Sequence, residues 1–471
     1  MRQAFPWRDF LGKTAMIAVP VALQNLLTTT GSMVDTMMIS SLGKPEVGAV
    51  GLCAQFSSLM FSGYWGFVGG GMLFFSQYYG AKDDDGINRS YGLTACCIMA
   101  VGILFGLAAL LFPQAVMQMY TGTDPDKVLM REIGVKYLRI VGFAYPLQAF
   151  AMAMASLLRC TDRVRIPLYA SVAAVIVNIL FNWILIFGQP ALGITPMGVE
   201  GAALATVIAQ LVNVSVIIAG ALITRHPYLL AFSRHFRWNG RTIRGYFAKC
   251  APILANEILI GAGNMVINMV LGRQPNDAVA ALAVFRTLEG LIIGFFAGFS
   301  NAASVLVGKQ VGAGDPDTAY RRAWRLVYLC QGIIGAVGLL LIALHTPILQ
   351  MMNMKGDSFR YGFGMIAIFA VAGFIRMGNW TQNDTYRSAG DAFYGTVLEI
   401  AFMWALVIPC VCVSGLVLHA PTLLVFALCY IDEPIRYVMM QRHLYSGRWI
   451  KPVTPAGIQA LSQWKSPGRP V

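Results

Sequence analysis

Residues 20–81 and 252–313 are two copies of one pattern, and the spacing between them never varies. Pro20 and Pro252, Gly31 and Gly263, Met33 and Met265, Val34 and Val266, Gly66 and Gly298, Gly80 and Gly312, and Arg89 and Arg321 are each 232 positions apart. A gapless internal repeat of this length makes each half build the same unit. Its departures are as informative as its identities. Asn25 becomes Glu257 and Asp35 becomes Ile267, so each half places one acidic residue in an apolar run, at a different level.

Only 12% of the 471 residues are charged, 57% are hydrophobic, and the mean hydropathy is +0.63. A soluble domain carries about 25% charged residues. Half that fraction, with long uncharged runs, reads as a polytopic membrane protein. The net charge of +13 would suit nucleic acid, but the basic residues sit in short segments between apolar runs, as cytoplasmic loops require. The nine cysteines are scattered and form no C-x-x-C pair, which reads as neither a disulfide framework nor a zinc site. Arg2, Arg8 and Lys13 precede an apolar run too long for a signal peptide and without a small-residue cleavage site, so it is read as a retained helix.

Twelve apolar runs are legible, at residues 11–40, 47–79, 91–112, 132–158, 164–188, 198–224, 246–271, 278–308, 320–344, 360–387, 393–416 and 419–441. The predicted fold is an all-α polytopic membrane protein, with twelve transmembrane helices in two six-helix bundles related by a pseudo-two-fold axis. Residues 1–224 form the first bundle, 225–245 a cytoplasmic linker with a short amphipathic helix, 246–441 the second bundle, and 442–471 a cytoplasmic tail that is weakly ordered after Gly447. With the N-terminus inside, the inner face collects Lys82, Arg89, Arg159, Arg163, Arg165, Arg225 and the basic group from Arg436 to Arg469. The outer face keeps Lys44, Lys127, Arg131, Lys136, Arg139, Arg273, Lys355 and Arg360. That asymmetry predicts a multi-pass protein of the inner (plasma) membrane with both termini cytoplasmic. Six helices per half make the halves parallel repeats, a plan of secondary transporters with substrate near the repeat interface. No G-x-x-x-x-G-K-[ST] stretch is present to power transport with ATP. Gly80-Ala81 and Gly312-Ala313 are read as helix C-caps.

A carboxylate inside a membrane helix costs roughly 2.5–3.5 kcal/mol and needs a partner, a cation or a proton. Asp35 lies roughly 35 Å along a helix from Gly12, toward the outer side. Asn178 and Asn182 share one helix face, and Thr206 falls at a similar depth, so four polar side chains from three helices reach one level. Interhelical hydrogen bonding is the structural alternative. In the second half, Glu257 lies near mid-membrane, and Arg286 and Glu289 stand three apart on one helix face. Glu399 either snorkels or lines the cavity, and Asp384 pairs with Arg387. Gln24, Asn25, Asn379 and other amides are further cavity candidates, with methionines and aromatics forming an adaptable lining.

The ordered set Pro20, Asn25, Val34-Asp35-Thr36, Leu42-Gly43 and Gln77-Tyr78-Tyr79-Gly80-Ala81 continues through Val177-Asn178, Asn182 and Gly201-Ala202-Ala203-Leu204-Ala205-Thr206. It ends with Pro252, Asn256-Glu257, Leu306-Val307-Gly308 and Gly312-Ala313-Gly314-Asp315. This set resembles the multidrug and toxic compound extrusion (MATE) family, across nearly the whole chain. The resemblance implies two six-helix bundles in a V around a large cavity, and exchange of an outgoing substrate for H⁺ or Na⁺. It also implies that Asp35 binds the coupling cation or proton. Sodium-type sites in the family add an asparagine, a second aspartate and a threonine. Asn178 and Thr206 match two of these, which makes Asp35, Asn178 and Thr206 a candidate Na⁺ site, but Asn182 stands where the second aspartate belongs. A lone desolvated carboxylate suits proton exchange better. Glu257 matches a glutamate that some members use for coupling, and the accompanying tenth-helix acid falls near Arg376, which is therefore expected to pair with Glu257.

The leading expectation is a secondary antiporter exporting small organic compounds, cationic drug-like ones among them, in exchange for H⁺ or Na⁺, with no cofactor, acting as a monomer. The alternative is a lipid-linked precursor flippase of related architecture, which would need a strongly cationic cavity. An enzyme is not expected, because His226, His235, His345, His419 and His443 all fall in loops or at helix ends.

Overall fold

The structure is a computed structural model that describes residues 7–122, 127–190 and 193–464. The expectations placed on Arg2, Lys465 and Arg469 lie outside the described residues. Helices dominate: α1 (Trp7–Ser40), α2 (Lys44–Ala81), α3 (Asp84–Leu111), α4 (Pro113–Thr121), α5 (Val128–Val141), α6 (Ala144–Cys160), α7 (Arg165–Phe187) and α8 (Gly198–Ile223) come from the first half. After the short α9 (Phe232–His235) follow α10 (Gly240–Leu271), α11 (Asn276–Gly312), α12 (Pro316–Ala343), α13 (His345–Met351) and α14 (Gly356–Ser388). The chain ends with α15 (Tyr394–Phe402), α16 (Ile408–Cys412), α17 (Thr422–Leu428), α18 (Glu433–Ser446) and α19 (Pro455–Gln463).

Among the described residues, nine segments are each long and apolar enough to cross a membrane, and α5 with α6, bent by 49° at their junction, make a tenth. The 38-residue α2, diluted by Gly69, Gly70 and Gly71, and the interrupted pair α17–α18 fill the other two places in the twelve-helix arrangement. The eleventh crossing segment, Tyr394–Val417, is loosened by π-helical turns at Met403–Val407 and Val413–Val417 on either side of Pro409. Proline has no N–H to donate, and widened turns absorb the mismatch.

Two compact units are present. One comprises Met1–Ala22, Met72–Asp83 and Phe247–Val471, the other Leu23–Gly71 and Asp84–Tyr246, so α1 and α2 each contribute to both. Inside the first, Gly298 of α11 lies against α1. A Cβ there would stand 2.7 Å from Ala22 N and would strike Ala18 O. Gly80 and Gly312 behave alike: a Cβ on Gly80 would strike Lys309 O, and one on Gly312 would strike Gln77 O. Gln77 and Lys309 are themselves repeat partners, so the contact between the ends of α2 and α11 is symmetric. These glycines are therefore close-approach residues rather than the expected caps. The left-handed turns fall two residues later, at Lys82 (φ 57°) and Gly314 (φ 79°), again repeat partners. Asp315 then caps α12, its carboxylate accepting from Thr318 N at 3.0 Å with Pro316 in the first turn.

In the second unit, Gly201 lets α8 approach α7 closely. A Cβ there would lie 2.6 Å from Leu185 O. This small-residue seam fixes the register of α8 against α7, the helix that carries Asn178 and Asn182. The linker is folded. His226 Nε2 and Thr161 Oγ1 are 3.0 Å apart, and His235 Nε2 is 2.7 Å from Tyr228 O. Burial, with Arg163 nearby, lowers the His226 pKa to about 4.

The tail departs from expectation. Residues 448–464 are docked rather than weakly ordered: Trp449 is fully buried, Lys451 N donates to Ala389 O at 2.9 Å, and Val453 N donates to Gln77 Oε1 at 2.8 Å. Lys451 Nζ and His443 Nε2 each lie 2.9 Å from the buried Asp391 carboxylate. Burial alone would raise the pKa of Asp391, but the His443 and Lys451 hydrogen bonds hold it below the ordinary carboxylate value.

Candidate functional site

Asp35 sits five positions before the end of α1, half-buried, where α7 passes. The i, i+4 spacing of Asn178 and Asn182 turns both amides toward it. Asn182 Nδ2 donates to Asp35 Oδ1. With the Asn178 amide oriented to satisfy its neighbours, its nitrogen lies 2.7 Å from Asp35 Oδ1 and 3.3 Å from Oδ2. The carboxylate is thus held by N–H donors from both asparagines. Asn182 Oδ1 is buried with no partner.

Thr206 is placed differently from the other three. Its hydroxyl donates to Ala202 O at 3.0 Å, within its own helix, with the Tyr137 side chain of α5 close by. Tyr137 packs on the cluster of Ile39, Ile186 and Ala202 and lies within electrostatic range of Asp35. It is a site residue that sequence reading misses, because an aromatic in an amphipathic helix carries no distinguishing signal. Gln24 belongs to a separate group: its side chain donates to Ser171 Oγ at 3.0 Å and accepts from Arg159 Nη2 at 2.8 Å. Asn25 lies beside it on α1, half-buried.

The first unit holds a larger network. Glu257 does not pair with Arg376 as expected. Its partner is Arg387, at 3.3 Å. Arg376 stands about 16 Å earlier along α14, three helical turns away, and meets Glu289 instead at 2.9 Å. Arg387 also lies 3.7 Å from Asp384 and 3.9 Å from Glu399. Ser300 donates to Asp384 at 2.5 Å, while Asn256 and Asn383 donate to Glu399 Oε2 at 3.1 and 2.9 Å. Glu399 is therefore a junction in the network and does not snorkel.

The break between α17 and α18 extends the network further. Arg436 is 3.6 Å from Glu399, 3.2 Å from Asp432 and 2.9 Å from Glu433, and Asn379 donates to Glu433 Oε2 at 2.7 Å. Arg436 is therefore buried, not part of a solvated basic tail. Five carboxylates, on Glu257, Asp384, Glu399, Asp432 and Glu433, face two guanidiniums. Sequence reading missed Arg436, Asp432 and Glu433. The available signal was the Asp432-Glu433-Pro434 step inside an apolar run. A third group joins Arg286, Glu289 and Arg376, with Arg286 Nη1 2.5 Å from Glu289 Oε2.

Comparison with known proteins supports the twelve-helix fold. The MatE family model matches residues 20–184 and 252–413, in two pieces that coincide with the repeat. The probable multidrug resistance protein YoeA of Bacillus subtilis (strain 168) is 22% identical over 407 residues, which span 86% of each chain. Among solved structures, a MATE protein in complex with MaL6 superposes with a TM-score of 0.82 at 14% identity, covering 93% of this chain and 96% of that one. A multidrug resistance MATE family transporter of the MOP superfamily, solved in an outward-facing conformation, gives 0.81 at 15% identity with the same coverage.

Proposed function

The chain belongs to the MatE family of multidrug and toxic compound extrusion transporters, and from that premise we propose that it is an antiporter expelling small organic compounds in exchange for entering H⁺. It works as a monomer in the plasma membrane with both termini cytoplasmic, by alternating access. The related transporter captured facing outward supplies one end state for such a cycle.

The observation that carries the choice of ion is the donor set around Asp35. Amide N–H groups from Asn178 and Asn182 complement a carboxylate. A sodium ion needs converging oxygens instead. Binding Na⁺ at Asp35, Asn178 and Thr206 would require the Asn178 amide to turn over. Binding H⁺ requires only that one N–H contact be surrendered. The second network supports the same reading. Its five carboxylates outnumber its two guanidiniums, and acidic groups of this kind inside a membrane protein mark proton pathways. Protons taken up at Asp35 or Glu257 then favour one state of the cycle, provided that state binds them more tightly. A lipid-linked precursor flippase is not favoured, because the curated relative named above is a probable multidrug resistance protein.

Transport by purified protein in vesicles tests the proposal. An imposed pH gradient drives substrate exchange and a Na⁺ gradient at constant pH does not. Asp35→Asn abolishes the pH-driven component, by about a hundredfold or more. Equal driving by Na⁺, or unchanged coupling in both Asp35→Asn and Glu257→Gln, would sink it.

A further inference from the structure

Arg286, Glu289 and Arg376 form a group that the coupling chemistry does not use. Glu289 is a single buried carboxylate with both oxygens taken. Oε2 lies 2.5 Å from Arg286 Nη1, and Oε1 lies 2.9 Å from Arg376 Nη1 and 3.5 Å from the Tyr430 hydroxyl. One negative charge is therefore shared by two guanidiniums, which do not deprotonate in proteins. The remaining contacts are neutral. Arg286 Nη2 donates to Asn268 Oδ1 at 3.1 Å, and the Arg376 guanidinium lies 5.6 Å from the Tyr430 ring centroid. Glu433 is within electrostatic range of Arg376 but is held by Arg436 at 2.9 Å and Asn379 at 2.7 Å.

Depth and exposure decide what this excess charge faces. Arg286 is about 15 Å into α11, and Arg376 about 30 Å into α14, from their N-terminal ends. At that depth their side chains are still 39% and 31% exposed, against 4% for Glu289. Charged groups inside a membrane protein open on a polar cavity, not on hydrocarbon. Apolar surface lies alongside at the exposed Met265, one turn before Asn268, while Phe285, next to Arg286, is buried in an aromatic cluster with Phe369 and Phe426 that backs the group. The first repeat has Ala54 and Ser57 where the second has Arg286 and Glu289, so this group is not inherited from the shared scaffold.

We infer that Arg286 and Arg376 bind the anionic group of an amphipathic substrate: a carboxylate, sulfonate or phosphate. The fork of each guanidinium matches two oxygens of such a group. Glu289 orients both arginines and cancels one of their charges. The inference names a substrate class for the transporter reading, but the binding test does not depend on transport.

Naphthalene-2-sulfonate and 2-naphthyltrimethylammonium share an apolar body and carry opposite charges, the first on an oxyanion. Their equilibrium binding to purified protein in detergent buffer separates charge from hydrophobicity. Arg286→Met and Arg376→Met each weaken naphthalene-2-sulfonate binding by about tenfold and leave 2-naphthyltrimethylammonium binding unchanged. Glu289→Gln frees both guanidiniums and tightens naphthalene-2-sulfonate binding, a gain that a merely structural role would not produce. Arginine variants that keep the wild-type melting temperature and the wild-type naphthalene-2-sulfonate affinity overturn the inference, as does equal weakening for both probes. If the arginine variants do not fold, Glu289→Gln decides alone, and unchanged or weaker naphthalene-2-sulfonate binding refutes the site. Loss of proton-driven exchange in vesicles with anion binding intact would refute the antiport proposal and leave this site standing.

Discussion

The two acidic sites solve one problem in opposite ways. Near the end of α1, Asp35 is a single carboxylate held by neutral amide donors from one face of α7. In the other unit, Glu257, Asp384 and Glu399 surround Arg387, and Arg436 links Glu399 to Asp432 and Glu433. Neutral donors stabilise a charge locally and release it at the cost of a hydrogen bond. A guanidinium shared among several carboxylates ties their protonation states together, because removing one charge alters the balance for the rest. The comparison teaches that duplication supplied matching helices while the side chains diverged: one half has an isolated carboxylate, the other an ion-pair network.

The largest expected effect breaks the coupled set at its centre. Arg387→Met leaves Glu257, Asp384 and Glu399 without their common counter-ion, and removing one partner of a buried pair costs about 3–5 kcal/mol. Thermal unfolding in detergent at neutral pH should show that loss. Stability should recover at lower pH as the carboxylates protonate, and a loss independent of pH would mean the network is held by packing. Next in size, Asn182→Asp gives the first site a second carboxylate beside Asp35. Wild-type protein should melt at the same temperature in Na⁺ and K⁺, whereas this variant should gain a Na⁺-specific stabilisation; equal response in both would show that oxygen count does not select the ion. A smaller change, Asn178→Ala, removes one charge-assisted donor, worth about 1.5–3 kcal/mol. The protonated form of Asp35 is then favoured, so the pH midpoint of transport should move up; a midpoint that stays put would remove Asn178 from the site.

The smallest effect guards the comparison against a titration outside both sites. His226 is buried neutral in the linker with its pKa lowered to about 4. The unfolded chain binds more protons than the folded one between that value and the ordinary histidine value, about 6.5. Its contribution is therefore complete above about pH 6.5 and is lost as pH falls toward 4. His226→Gln should flatten the decline in melting temperature over that window while leaving transport unchanged. An unaltered slope would assign the decline to the carboxylates.

The sequence by itself determined the architecture. A gapless repeat and long uncharged runs permit little besides two like bundles of apolar helices, and periodicity acts over distances that one helix spans. It also brought Asp35 to Asn178 and Asn182, because i, i+4 spacing on α7 leaves one helix-to-helix match to find. Tertiary structure alone decided the rest. Glu257 chose Arg387 over Arg376 because the register of α10 against α14 separates those arginines by three turns. Arg436 left the basic tail for the interior because the α17–α18 break turns it among carboxylates. The docked tail and Tyr137 likewise depend on partners far away in the chain. Pairings of this kind are set by rotations and shifts of whole helices, and a one-turn slip leaves the apolar pattern intact while exchanging every charged partner.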